Sequence, residues 1–130
     1  MKQVEVVAAV ITKDDKILAT QRGYGDFKGK WEFPGGKIES GESHEQALIR
    51  EIKEELHADI KVLDYLTTVE YDYETFHLTM HTYICSLIND FEMVKHGEEF
   101  EHDDMIWVSK EELDKVDFLP ADIEIVKKLK

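Results

Sequence analysis

A glycine-containing segment followed by an acidic segment constrains this chain more than any other feature. Residues 36–42 begin with glycine and end with glutamate, and residues 50–55 read Arg-Glu-Ile-Lys-Glu-Glu. Positions three and four apart are neighbours on a helix, so Glu51, Glu54 and Glu55 project together. Because like charges repel one another, this cluster indicates a site for a cation. Carboxylate oxygens suit Mg²⁺ or Mn²⁺, which also bind substrate phosphates.

The spacing of these residues resembles the Nudix box, which reads Gly, five residues, Glu, seven residues, then Arg-Glu-apolar-x-Glu-Glu-x-Gly-apolar. The matching positions are Gly36, Glu42, Arg50, Glu51, Ile52, Glu54 and Glu55. One position departs from the pattern, because His57 stands where the family has Gly. A helix end favours a left-handed residue there. We expect His57 to adopt that conformation and the metal site to be kept.

The resemblance implies a divalent metal site at which water attacks a phosphorus of a nucleoside diphosphate linked to another group. Carried over to this chain, the metal ligands are Glu51, Glu54, Glu55 and the backbone carbonyl of Gly35, with one glutamate acting as base. Mg²⁺ is the expected ion, and Mn²⁺ is an alternative. Arg50 is expected to orient the carboxylates, in contrast to a plain surface pair with Glu54. The resemblance also implies a further glutamate, with Glu98, Glu99 and Glu101 as the candidates.

Substrate contacts are expected from three further side chains. Lys37 follows the double glycine and can reach phosphate oxygens. Arg22 ends a strand, and the resemblance implies that it contacts the phosphates or the base of the nucleotide. The N-terminal half is similar to the MutT-type branch of the family, in residues 5–11, 21–22 and 31–39. Near the C-terminus, Asp122 lies in the segment that reads the base in that branch. The 8-oxo-dGTP diphosphatase has Asn at this position and relatives similar to CTP pyrophosphohydrolase have Asp, so the preferred base stays open.

The fold class expected from these patterns is α/β. Periodicity alone gives a mixed α/β chain, and the resemblance implies a single Nudix domain over residues 1–130, an α/β/α sandwich with a mixed sheet between helices. The expected strands are 4–11 and 16–21 in a hairpin, 60–69, 76–88 and 105–108. Residues 23–29 are expected to form a loop, and 31–36 a short extended piece that ends in a turn.

Three helices are expected. The long one starts at a capping box of Ser43 and Gln46, and its core stripe comprises Leu48, Ile49, Ile52 and Leu56. A short helix is capped by Ser109 through Glu112, and Pro120 opens the last one.

The composition of the chain limits the kinds of partner and metal that it is expected to bind. A net charge of −13 over 130 residues opposes binding to a nucleic-acid duplex or a membrane surface, and no apolar run has the length of a membrane span. Cys85 is the only cysteine, which rules out an internal disulfide and favours the cytoplasm. We expect no zinc site: His77 and His81 lie about 13 Å apart along a strand, and His44, His57, His96 and His102 make no ligand spacing with them.

These patterns together predict a Mg²⁺-dependent pyrophosphohydrolase that converts a nucleoside triphosphate to the monophosphate and pyrophosphate. The expected role is the removal of modified nucleotides such as 8-oxo-dGTP or an altered cytidine nucleotide such as 5-methyl-dCTP. A nucleotide sugar or a dinucleoside polyphosphate is the alternative substrate. A non-catalytic nucleotide-binding module is the alternative of another class, and it predicts a damaged box, whereas this box has every acid. A monomer and a homodimer remain open.

Overall fold

A computed structural model describes residues 1–88 and 102–130. The strands are β1 (Lys2–Lys13), β2 (Lys16–Arg22), β3 (Trp31–Glu32), β4 (Gly35–Lys37), β5 (Ile60–Asp72), β6 (Phe76–Leu87) and β7 (His102–Ser109). The α-helices are α1 (His44–Leu56) and α2 (Pro120–Leu129), and a 3₁₀ helix spans Lys110–Lys115. None of the helices in this described part has the length and apolar character needed to span a membrane.

Strand β1 lies at the centre of one mixed sheet. It pairs in parallel with β6 along eleven positions, from Lys2 opposite Phe76 to Thr12 opposite Ser86, whereas the other pairings between the strands named above are antiparallel. The order along the sheet is β3-β2-β1-β6-β5, with β4 added to β1 and β7 added to β2. The long strands β1 and β6, which are far apart in the chain, are thus neighbours in the sheet.

Successive side chains of β1 enter two separate cores. Val7, Ala9 and Ile11 pack in a cluster with the apolar face of α1. Ala8 and Val10 belong to a second cluster with residues of α2. Because neighbouring residues of a strand point to opposite faces, the two helices cover opposite sides of the sheet. The expected α/β/α sandwich is confirmed.

The hairpin between β1 and β2 closes with a two-residue turn. Lys13 pairs with Lys16, and the two turn residues, Asp14 and Asp15, have φ angles of 52° and 64°. Two positive φ values are typical of the turns that join twisted strands tightly. Beyond Thr12 and Ile17 the two strands separate, and β4 pairs with β1 at Val6–Ala8 instead. This separation makes room for the glycine pair beside the middle of the sheet.

Helix α1 begins and ends as its sequence predicts. Both hydrogen bonds of the capping box between Ser43 and Gln46 are present. His57 follows the helix in the left-handed conformation, with φ 55° and ψ 32°, and its N–H donates to the carbonyl of Lys53. The core stripe differs from expectation, because Ile49 is 39% exposed whereas Ala47 is buried. The helix turns its Ala47 side toward the sheet, which leaves Ile49 on the solvent side.

Two other local predictions are wrong. The extended piece at residues 31–36 does not end in a turn, because Gly35–Lys37 forms strand β4 against β1. Ser109 does not cap a helix backbone; its hydroxyl donates to Glu112 Oε1 at 2.9 Å, and the segment that follows is a 3₁₀ helix. Pro120 opens α2 as predicted.

Candidate active site

A cavity of about 530 Å³ brings together most of the side chains that the sequence singled out. Arg22, Gly35, Lys37, Glu51, Glu55 and Asp122 all line it. These residues come from β2, β4, α1 and α2, so the fold assembles them from across the chain. Apolar side chains of β1 and β6 complete the wall, among them Val6, Leu78 and Met80.

The two glycines of β4 allow a close approach that no other residue permits. A Cβ on Gly36 would collide with the Glu51 carboxylate, and a Cβ on Gly35 would collide with the backbone of β1 at Val7 and Ala8. The Glu51 carboxylate therefore lies directly against the backbone of β4. This packing holds a negatively charged group, 15% exposed, beside a strand whose carbonyl is a candidate ligand.

Arg50 holds the acidic residues of the box in place. Its Nε and Nη2 donate to the two oxygens of Glu42 at 2.7 and 2.9 Å, which is a bidentate pair. Its Nη1 donates to Glu51 Oε1 at 2.9 Å and to Glu54 Oε2 at 3.3 Å. Nη2 also donates to the backbone carbonyl of Lys37 at 3.0 Å. One guanidinium thus connects α1 to β4 and to the loop between them.

The charge on Arg50 alters the titration of Glu42. Hydrogen bonds from the guanidinium, and then from the backbone N–H of Glu39, lower the pKa of Glu42 to about 2. The same contacts raise the pKa of Arg50. Both groups are therefore charged at neutral pH. Arg50 makes the surface pair with Glu54, and the same guanidinium also contacts Glu42 and Glu51.

Arg22 lies on the cavity wall in an ion pair. Its Nη2 donates to Glu32 Oε1 at 2.8 Å and its Nε to Glu32 Oε2 at 3.2 Å. The guanidinium carbon also lies 5.4 Å from the ring centre of Tyr24. Lys37 lines the same cavity from β4 with an exposed side chain. The two cations therefore border the space beside Glu51 and Glu55.

Asp122 is a buried polar residue in the cavity wall. The residue is 5% exposed, and its Oδ2 accepts a hydrogen bond from the backbone N–H of Phe33 at 2.9 Å. Burial raises the pKa of this carboxyl to about 8, against the lowering effect of the Phe33 N–H. At neutral pH Asp122 is thus largely protonated and can both donate and accept a hydrogen bond.

Aromatic rings surround the same space. Phe27, Tyr73 and Phe76 line the cavity, with ring centres 5.4 Å apart for Phe27 and Tyr73 and 5.1 Å apart for Tyr73 and Phe76. The Tyr73 hydroxyl accepts a hydrogen bond from the N–H of Ala121, beside Asp122. Flat rings next to a buried polar group suit a planar heteroaromatic base. Tyr83 lies elsewhere, against His44.

The sequence pattern of the NUDIX domain matches residues 1–129. This chain belongs to the Nudix family. It is 39% identical to a CTP pyrophosphohydrolase of Escherichia coli, over 97% of this chain and 90% of that protein. It is 31% identical to the 8-oxo-dGTP diphosphatase of the same organism, over 100% and 98% of the two chains. The crystal structure of a MutT Nudix hydrolase from Burkholderia pseudomallei has the same fold, with a TM-score of 0.86, 23% identity and full coverage of both chains.

Family membership makes this protein a Nudix hydrolase, an enzyme class that acts on nucleotides and uses divalent metal ions. The residues of this chain fit such an ion. Carboxylates and a backbone carbonyl are hard oxygen donors, and the missing side chain at Gly36 leaves the Glu51 carboxylate against β4. Glu51 and Glu55 line the cavity, whereas Glu54 is 58% exposed and is held by Arg50.

The sequence did not predict one cluster of this Nudix hydrolase, formed by Glu5, His44 and His81. We expected His44 to make no ligand spacing with His81, yet their rings lie 4.1 Å apart, and with Glu5 they form a group that could hold a metal ion. The expectation was wrong because the fold brings His44 at the start of α1 against His81 of β6, although the two residues are distant in the chain. No spacing pattern in the sequence signals this contact. The candidate glutamates Glu98, Glu99 and Glu101 lie outside the described residues.

Proposed function

We propose that this Nudix hydrolase is a Mg²⁺-dependent nucleoside triphosphate pyrophosphohydrolase that releases a nucleoside monophosphate and pyrophosphate. Its proposed role is to remove modified nucleotides, such as 8-oxo-dGTP or an altered cytidine nucleotide, from the precursor pool. The observation that carries this proposal is that Glu51 and Glu55 of the acidic box line the same cavity as Asp122 and the aromatic rings around it. The names of the two relatives in Escherichia coli also favour a triphosphate substrate.

The acidic end of the cavity is the proposed reaction centre. Glu51, Glu54, Glu55 and the carbonyl of Gly35 are the proposed ligands of the metal. A divalent ion held there neutralises phosphate charge and lowers the pKa of a bound water. Glu54 is exposed and contacts Arg50, and its side chain is proposed to turn toward the ion when the ion binds. One of the three glutamates is proposed to accept the proton of the attacking water.

Lys37 and Arg22 are the proposed phosphate contacts. Positioning and charge neutralisation supply most of the catalysis in phosphoryl transfer. Lys37 lines the cavity next to the glycine pair, where a phosphate would lie beside the metal. Arg22 shares its guanidinium with Glu32, which fixes its direction before a nucleotide arrives. Arg50 makes its contacts with the box glutamates and is proposed to position them.

Asp122 is the proposed base-reading residue, and its protonation state bears on the preferred base. A protonated carboxyl donates one hydrogen bond, which suits the acceptor atoms on a guanine edge. An ionised carboxylate only accepts, which suits the amino group of cytosine. Because burial raises its pKa to about 8, the proton is largely present at neutral pH. Both classes of base stay in the proposal, and turnover on a panel decides between them.

The test is pyrophosphate release with Mg²⁺ from dGTP, 8-oxo-dGTP, CTP, dCTP, 5-methyl-dCTP, ADP-ribose and a diadenosine polyphosphate. We expect one triphosphate to be turned over best, and Glu54→Gln to lose that activity. Glu45→Gln is the matched control, because Glu45 is exposed in the first turn of the same helix and lies outside the cavity lining. This control should keep wild-type turnover.

Three other results would change the conclusion. Preferred turnover of ADP-ribose or the diadenosine compound would assign the enzyme to another nucleoside diphosphate derivative. Tight binding of a nucleotide without turnover would favour a non-catalytic module. Equal activity of Glu54→Gln and wild type would remove Glu54 from the reaction centre.

A further inference from the structure

A second group of metal-ligating side chains lies outside the catalytic cavity. Glu5 comes from β1, His44 is the first residue of α1, and His81 comes from β6. One ligand atom from each of these three residues lies within 4.8 Å of the other two. None of the three lines the cavity that holds the acidic box. The group therefore needs an explanation of its own.

A hydroxyl group holds Nδ1 of each of the two histidine rings. His44 Nδ1 lies 2.8 Å from the Tyr83 hydroxyl, and His81 Nδ1 lies 3.0 Å from the Thr68 hydroxyl. Nε2 is then the remaining nitrogen of each ring, and in His81 it already contacts Glu5 Oε2 at 2.6 Å. Histidines that bind metals usually have their second nitrogen held by a hydrogen-bonding partner in this way. The hydroxyl groups thus orient both rings.

The hydroxyl groups that hold these rings are themselves connected. Thr68 Oγ1 lies 2.7 Å from the Tyr65 hydroxyl, and the rings of Tyr65 and Tyr83 pack edge to face at 5.5 Å. His44 and His81 stack with their planes 21° apart. The two imidazoles are therefore supported by one small network of hydroxyl groups and aromatic rings. Such support lowers the entropy lost when an ion is bound.

An ordinary ion pair accounts for only part of this arrangement. His81 Nε2 lies 2.6 Å from Glu5 Oε2, which by itself is a simple salt bridge. His77, also on β6, makes comparable contacts with Asp72 and Glu70 of β5. No second histidine is among its described contacts. The stacked His44 distinguishes the group. Two protonated rings at 4.1 Å would repel each other, whereas two neutral rings can share a cation.

We propose that Glu5, His44 and His81 bind one transition-metal ion of the Zn²⁺ class, at a site separate from the proposed Mg²⁺ site. Imidazole nitrogens suit Zn²⁺, Co²⁺, Ni²⁺ or Cu²⁺, whereas the carboxylates of the box suit Mg²⁺. A tetrahedral ion with bonds of about 2.0–2.1 Å needs ligand atoms about 3.4 Å apart, so the two rings turn out of their stack to point at the ion. Water completes the coordination, and the proton shared by His81 and Glu5 leaves for solvent.

The site would tie the first turn of α1 to β1 and β6. Because α1 also carries Glu51, Glu54 and Glu55, a bound ion would fix the start of the helix that presents the box. The site does not depend on the proposed substrate, since none of its ligands lines the catalytic cavity. We therefore expect metal binding to appear as thermal stabilisation, whatever the nucleotide preference.

The test uses the untagged full chain, stripped of metal and then supplied with excess Mg²⁺. Titration with Co²⁺ should produce the visible absorption of a four-coordinate ion, saturating at one ion per chain. His44→Gln and His81→Gln should abolish this absorption. His77→Gln is the matched control and should retain it, and Glu54→Gln should retain it because the acidic box is not involved.

Two further measurements test the proposed metal site. Zn²⁺ should raise the unfolding temperature of wild type and of His77→Gln but leave His81→Gln unchanged. Thr68→Val, which removes the support of His81 without removing a ligand, should weaken Co²⁺ binding about 10- to 100-fold. If His81→Gln does not fold, His44→Gln and Thr68→Val carry the test. Absence of the absorption in wild type, or its survival in His44→Gln and His81→Gln, would overturn the site.

Discussion

Arg50 is the side chain on which the geometry of the acidic box most depends. Its guanidinium contacts Glu42, Glu51 and Glu54 and the carbonyl of Lys37. Without it, several carboxylates would face one another without a fixed cation. A planar fork of donors is needed for this role, because a single ammonium cannot satisfy Glu42 bidentately and Glu51 at once.

We therefore predict that Arg50→Lys lowers kcat about 10- to 100-fold, although the charge is kept. KM for the nucleotide should change less, because Arg50 makes its described contacts with protein groups. Steady-state kinetics on the best substrate measures both constants. Lys53→Ala is the control, since its pair with Asp59 is exposed and contributes about 0–1 kcal/mol. A wild-type kcat in Arg50→Lys would show that the fork is dispensable.

Asp122 gives a stability prediction with a defined sign. The folded chain holds the proton up to a pKa of about 8, whereas an unperturbed carboxyl releases it near 3.8. The folded state thus binds more protons between these values, and stability falls as the pH rises through them. Asp122→Asn removes this titration. The free energy of unfolding of wild type relative to the variant should therefore decrease from about pH 4 to about pH 8.

Urea unfolding of both proteins at several pH values from 5 to 9 measures this difference. We expect the gap to change most between pH 5 and 8 and to level off above that range. A gap that stays constant across the series would mean that Asp122 is already ionised in the folded protein. The base-reading role would then rest on an acceptor alone.

At the scale of elements, α1 and β4 together carry the proposed metal ligands. Local signals in the sequence predicted most of α1, because a capping box and a helix end depend on neighbouring residues only. The strand at Gly35–Lys37 was missed, because its pairing is with β1 and two adjacent glycines by themselves indicate a turn. The glycines are better explained by what they leave room for, namely the Glu51 carboxylate and the β1 backbone.

The two glycines should respond differently to the same added methyl group. Gly36→Ala pushes on the flexible end of Glu51, so we predict a folded protein with turnover reduced at least tenfold. Gly35→Ala pushes on the backbone of β1, so we predict a clear loss of thermal stability as well. Thermal unfolding and pyrophosphate release measure the two effects. Equal stability losses would indicate that β4 moves as a whole in both variants.

At the scale of the whole molecule, β1 connects two cores. Leu48 packs on the α1 side and Ile125 on the α2 side, and both are fully buried. Trp107 packs against the first of these cores and Trp31 against the second. The sequence predicted the sandwich through the family resemblance. It did not reveal the parallel pairing of β1 with β6, nor the Glu5, His44 and His81 group that this pairing helps to assemble, because these contacts join distant residues.

Because both cores share β1, we predict that they unfold together. Single-tryptophan variants Trp31→Phe and Trp107→Phe should give coincident urea transitions by fluorescence and by circular dichroism. Leu48→Ala and Ile125→Ala should each cost about 2–5 kcal/mol and keep the two transitions coincident. Separate midpoints for the two fluorescence signals would show that the cores are independent.

The short stretch from Phe33 to Gly35 has a consequence for how substrates would be discriminated. The N–H of Phe33 holds the proposed base-reading carboxyl, and the carbonyl of Gly35, two residues on, is a proposed metal ligand. The backbone between these two groups bends at Pro34, whose carbonyl accepts a hydrogen bond from the N–H of Ala9 in β1 at 2.8 Å, so the short spacer is anchored to the sheet. Within the proposed function, this segment sets the distance between the group that binds the base and the group that binds the metal next to the phosphate. A base that sits wrongly would displace the reacting phosphorus, so errors would be rejected in kcat more than in KM.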